Sequence, residues 1–200
     1  MEGSPRGRGR RIVGRALFVV WALLGGAGCY VGGSRAVDPR DFTAARGWVR
    51  SRDFAWVPQK HEDDCGAAAL AMVLGAFDVP LSRDEVAAAS PPQEGGIRAG
   101  SLRDIARGAG LASYVVSGRL HDLEAELGLG HPILVGLGKP LVGKRAALHY
   151  EVVAGLQRGT HAILTADPAA GWRAFTWDDF AREWATTGAV TVVVFPRQKI

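Results

Sequence analysis

The chain's most reactive side chain sits in "PQKHEDDCGAAALAMVLGAF", Pro58 to Phe77, where Cys65 separates an acidic loop from an apolar run with helical spacing. A thiol attacks carbonyl carbon well only as thiolate, and its free pKa is about 8.5, so a reactive cysteine needs help. Helix amide dipoles and a neighbouring imidazolium both favour negative charge at that place. Glu62, Asp63 and Asp64 oppose it, so the imidazolium must win or those carboxylates must point away. Gln59 offers a side-chain amide beside the Cys65 backbone N–H, two donors for an oxyanion developing on an attacked carbonyl.

The base is sought in the hairpin "ALHYEVVAGL-QRG-THAILTADP". A three-residue loop, Gln157 to Gly159, with a left-handed glycine would pair Leu156 with Thr160. That register sets His149 opposite Asp167, on one face, with Cβ atoms about 5 Å apart. The carboxylate would then hold one imidazole nitrogen and leave the other free to take a proton. A slip of one residue would separate them.

Each residue also has a plainer reading. A lone cysteine is usually an inert core residue, or Cys65 could bridge to Cys29. His149 could be a structural histidine and Asp167, before Pro168, the start of a turn. His61 lies near Cys65 in sequence, but nothing nearby orients it. His61, Cys65, His121, His131 and His161 lack metal-site spacing, so no metal is expected. "GKPLVGKR", Gly138 to Arg145, imitates a phosphate-binding loop, yet Arg145 stands where a magnesium-holding hydroxyl belongs and Pro140 interrupts it. It reads as a basic surface loop, with no nucleotide and no cofactor.

The elements that must position these residues come in two blocks. Helices are expected from Cys65, with Asp64 as N-cap, from Ser82 with Glu85, from Ser101 with Asp104, and over Leu120 to Leu127. Strands follow in "ASYVV", "PILVGL", the hairpin, "WRAFTW" and "AVTVVVF", with one helix from about Asp178 to Thr186. Helices first and strands after make the class α+β.

With 200 residues and 48% hydrophobic composition, one domain is expected, at residues 48–200. Arg6, Arg8, Arg10, Arg11 and Arg15 against Glu2 account for the whole formal charge of +4, so the remainder is balanced and no nucleic acid partner is expected. The same stretch, with "ALFVVWALL" and small residues up to Cys29, has the layout of an export signal over residues 1–28. "LLGGAGC" is similar to the lipobox of bacterial lipoproteins, although Gly26 stands where leucine is usual. Cys29 is therefore the expected lipidation site, with an uncleaved membrane helix as rival. Residues 29–47 read as a tether, which puts the domain at the cell envelope, outside the cytoplasm.

Taken together, "Q-x5-C-G-x-A-A-L", "H-Y-x-V-V", and "A-D-P" followed by "F…W" resemble the bacteriocin-processing, double-glycine-leader peptidases, the papain-like cysteine peptidase family thirty-nine. The resemblance runs from about Phe54 to Phe195. It implies a papain-like fold with N-terminal helices on a C-terminal antiparallel sheet, and a peptide or protein substrate cleaved through an acyl-enzyme. It also implies Cys65 as nucleophile, His149 as general base and acid, Asp167 as orienter and Gln59 in the oxyanion hole. A binding module of the same fold that has lost activity, and an acyl or peptidyl transferase using the same residues, are the alternatives.

Overall fold

The computed structural model describes residues 32–93, 95–141 and 144–197, the side chains of residues 140–147 excepted. The expected export signal and Cys29 lie outside the described residues. Its elements are β1 (Arg35–Ala36), β2 (Val49–Arg50), α1 (Cys65–Gly75), α2 (Arg83–Ala89), α3 (Ala99–Gly108), β3 (Leu111–Ser117), α4 (Leu120–Gly128), β4 (Ile133–Leu141), β5 (Lys144–Gln157), β6 (Ala162–Asp167), β7 (Gly171–Thr176), α5 (Trp177–Ala185) and β8 (Val190–Pro196). The strands form one antiparallel sheet in the order β1-β7-β6-β5-β4-β8-β3, with β2 added beside β5. This is the expected α+β arrangement of early helices on a later sheet.

Residues Cys65 to Leu74 of α1 are all buried, and helices that are apolar all round belong inside a core. Four alanines, Ala67, Ala68, Ala69 and Ala71, keep this helix thin enough to lie among α2, α3 and the sheet. Alternation along β4 and β5 then divides the core. Leu134, Tyr150 and Val152 face α1 to α3, whereas Ile133, Val135, Leu137 and Val153 face α4 and α5. A third cluster joins Phe42 and Trp48 to Ala154, Leu164 and Ala174.

The caps match the expectation in one helix and depart from it in two. Ser82 and Glu85 form the capping box of α2, each side chain satisfying the other's backbone N–H. The third helix starts at Ala99, after Arg98, so Ser101 lies inside it rather than capping it. Asp64 does stand at the N-cap of α1, but its carboxylate accepts from Lys60 N (3.0 Å) and His61 N (3.2 Å), not from the helix.

Two expectations fail for a common reason, that strand pairing takes up segments which looked like linkers or loops. The tether reading does not hold from Gly33 onward: β1 pairs with β7, Val37 N donates to Trp172 O at 3.1 Å, and Phe42 packs edge-on to Trp48. "GKPLVGKR" is not a surface loop either. Its first four residues belong to β4, Lys144 opens β5 opposite Leu141, and Lys139 is buried. Among the described residues no helix is long and apolar enough to cross a membrane.

Candidate active site

Three chain segments bring the expected residues together. The thiol of Cys65, 4% exposed, stands in the first turn of α1. His149 Nε2 lies 2.7 Å from Asp167 Oδ1, which leaves Nδ1 free, and Cys65 is near enough for the ring's charged form to be favoured by it. Asp167 Oδ1 in addition accepts from Ala169 N at 2.8 Å, which holds the carboxylate in its turn. The loop before α1 is stitched to the same end of β6: Trp56 Nε1 donates to Asp167 O at 2.9 Å and Gln59 N to Pro168 O at 3.0 Å. Beyond Asp167 the flank of β5 no longer has β6 as neighbour, so the His149 ring meets the head of α1 there.

The hairpin reaches this arrangement by a register other than the expected one. Leu156 pairs with Ile163, not Thr160, across a four-residue turn, Arg158 to His161, whose positive φ (51°) is taken by His161 rather than a glycine. If that ladder continued unbroken, Asp167 would oppose Val152 and share a face with Tyr150 instead of His149. Ala154 is an extra residue on β5, however, a bulge between the pairs Val153↔Thr165 and Gly155↔Leu164. The ladder resumes with Val152↔Ala166, so its next step sets Asp167 against Glu151. The total slip from the expected register is two residues, an even number, and parity is kept. His149 lies diagonal to Asp167, not opposite it.

The charges around the ring are consistent with an imidazolium. Burial works against the charged His149, but hydrogen bonds to Asp167 and Cys65 outweigh it and raise the pKa to about 10. Burial likewise opposes ionised Asp167, and the His149 hydrogen bond and charge, with Ala169 N–H and the Lys139 charge, still lower it. The three acidic residues before Cys65 do not crowd the sulfur. Glu62 and Asp63 are exposed, and Asp64 is neutralised by two backbone amides and by Arg83 Nε at 3.8 Å. Tyr150, packed over Gly66 and buried, is pushed up to about 12 by burial and by the nearby Cys65 charge.

Gln59 is half-buried in the loop before α1, and its Nε2 donates to His61 O at 3.0 Å while Oε1 is buried without a partner. The His61 side chain is exposed. Beside Tyr150 opens a cleft of about 470 Å³ lined by Arg98, Ala99, Gly138, Leu148 and Val190.

Sequence reasoning missed a buried ionic cluster adjoining this site. Glu151, fully buried, pairs with Lys139 Nζ, which also lies 3.1 Å from Glu183 Oε2 and 4.9 Å from the Phe175 ring centre. Donor atoms of His149, Glu151 and Asp167 all fall within 4.8 Å of one another. The available signal was Glu151 itself: a charge in the apolar strand "HYEVVAGL", two places from His149, is seldom buried without a partner.

With the fold and site described, similarity to known proteins decides the family. The model of the peptidase C39 family matches residues 53–198. The chain belongs to the peptidase C39 family. It is thus a peptidase by membership, in agreement with the resemblance carried by its motifs. Solved structures share the fold at low identity. The peptidase domain of Streptococcus ComA, a bi-functional ABC transporter of a quorum-sensing pathway, is 24% identical with a TM-score of 0.61 over 72% of this chain and 100% of that domain. A double glycine motif protease of an AMS/PCAT transporter, solved with its leader peptide, is 19% identical with a TM-score of 0.60 over 74% and 95%. A C39-like peptidase from Bacillus anthracis is 13% identical with a TM-score of 0.62 over 76% and 99%. No curated protein matches the chain.

Proposed function

We propose that this C39 chain is a cysteine endopeptidase that cleaves peptide or protein substrates through a Cys65–His149–Asp167 triad. The observation that carries the reading is one largely enclosed imidazole bonded to a carboxylate through Nε2, with Cys65 near enough to favour its charged form. In the resting state the His149 proton and the Cys65 thiolate form an ion pair. Sulfur attacks the scissile carbonyl carbon, and the electron pair moved onto oxygen is met by the Cys65 backbone N–H and the Gln59 amide. His149 gives its proton to the departing amine as the carbon–nitrogen bond breaks, leaving an acyl-enzyme. Water then attacks that thioester, His149 takes its proton, and the carbon–sulfur bond breaks to restore the thiolate. Gln59 must turn its amide from His61 O for this role, a rotation about its own side-chain bonds.

The relative bound to a leader peptide supports an extended peptide as the substrate class, and cleavage after Gly-Gly is the specificity this reading carries over. The arginine-rich start, apolar run and Cys29 support an envelope location with a lipid anchor and the domain outside the cytoplasm. The test is a peptide library, with and without Gly-Gly, presented to the full chain and to Cys65→Ala. Hydrolysis should be abolished in the variant with folding unchanged; hydrolysis that persists refutes the assignment. Binding without product in the parent protein would identify a binding module, and product joined to an added amine a transferase.

A further inference from the structure

We propose that Lys139 is a positioning residue for the triad: by neutralising Glu151, the second carboxylate on the histidine face of β5, it leaves Asp167 as the one anion that orients His149. The inference deepens the triad reading above and rests on it.

The ladder's last pair, Val152↔Ala166, puts Glu151 and Asp167 at its next step, with His149 two residues along the same strand and face, and ligand atoms of the three lie within 4.8 Å of one another. Both carboxylates are almost fully buried, at 0% and 4% exposure. Two like charges this close in a dry interior cannot both stay ionised unaided, because each disfavours the other's charged form. Left alone, Glu151 would push the proton uptake of Asp167 toward neutral pH or draw the imidazole to itself. Lys139 prevents both. Its ammonium pairs with Glu151, lies 3.1 Å from Glu183 Oε2, and its charge also favours ionised Asp167.

The far end of the cluster is built in as well. Glu183 Oε1 accepts from Gly33 N at 3.0 Å, and a side chain at Gly33 would run into Asp179, so the N-terminal segment closes over the α5 end of the pair. Among the described residues, the charged and titratable groups around Asp167 are His149 and Glu151 from β5, Lys139 from β4, with Glu183 of α5 behind it, and Cys65 of α1 through the ring. The strand order puts Glu151 on β5 between Lys139 on β4 and Asp167 on β6, so the lysine holds the competing carboxylate from the side away from the triad acid.

The test follows the rate of Cys65 alkylation by iodoacetamide against pH in the full chain, read by peptide mass spectrometry so that Cys29 is scored separately. The parent protein should keep a reactive thiolate well into acid, down to a midpoint set by proton uptake at Asp167. Lys139→Met should raise that midpoint by about one pH unit or more, seen as roughly tenfold slower alkylation on the acid slope. Lys139→Arg should restore it, and Lys139→Met with Glu151→Gln should return it toward the parent value. Glu151→Gln alone should move it the other way, because the lysine charge then falls more fully on Asp167; this variant carries the test if Lys139→Met does not fold. Midpoints unchanged in the folded variants, or moved in one direction by both single changes, overturn the role of Lys139. Alkylation of the parent that follows one ordinary thiol titration near pH 8.5, about the free value, overturns the triad reading instead.

Discussion

The two faces of β5 divide the labour of this molecule. On one, Tyr150 and Val152 join Leu134, Val192 and Val194 beneath α1, α2 and α3, in a cluster whose buried members carry no formal charge apart from the Cys65 thiol when ionised. On the other, His149 and Glu151 precede Val153, and the same face holds Asp167, Lys139 and Glu183 under α5. The first face stabilises by removing apolar surface from water and tolerates no cavity. The second surrenders some of that stabilisation to enclose these five ionisable groups, and removing one partner leaves the others less compensated. Stability and chemistry thus occupy alternate residues of a single strand.

Substitutions on the two faces should separate activity from stability, the largest effect being catalytic. Asp167→Asn should lower kcat/KM by about 10²–10⁴-fold, on a peptide chosen by library profiling, and should also lower the melting temperature at neutral pH, by an amount that shrinks on acidification. An activity within a few-fold of the parent would remove Asp167 from the site. On the apolar face, Leu134→Ala should cost about 2–5 kcal/mol in denaturant unfolding while the folded fraction keeps its kcat/KM.

Acidity sharpens the contrast. His149 has its pKa raised in the fold, from an ordinary 6.5 to about 10, so its contribution to stability is complete below the unfolded value and is lost as pH rises through the folded one. Asp167 is lowered, so its contribution is present above the ordinary carboxylate range and is lost on acidification. Thermal melts should accordingly show the parent losing stability between about pH 7 and 10 more steeply than His149→Gln. Equal slopes would mean the ring is not charged. The smallest expected effect is far from both faces: Ser82→Ala should cost about 1 kcal/mol through the α2 capping box and leave the pH profile of Cys65 alkylation in place.

How much of this was legible depended on the range of the interaction concerned. The capping box of α2 and the apolar run of α1 are written within a few residues of one another, and both appear where local chemistry puts them. Ser101 failed as a cap because helix α3 starts earlier, at Ala99, and takes Ser101 into its first turn. Lys139 read as a surface residue because its composition is basic and its partners, Glu151 and Glu183, are remote in sequence. The chain from Gly33 to Phe42 likewise resembles a linker until β7 supplies its hydrogen-bond partners.

By itself the order of residues determined the chemistry on offer: one thiol at a helix head, an imidazole and a carboxylate on strands, a glutamine at fixed offset, and a motif set that marks the family. Only the tertiary structure decided that these groups meet. A four-residue turn and a bulge at Ala154 shift the hairpin by an even count, and side-chain direction in a strand reverses with every residue. The identity of a residue is local, but the face it presents is a sum over every turn and bulge between it and its partner.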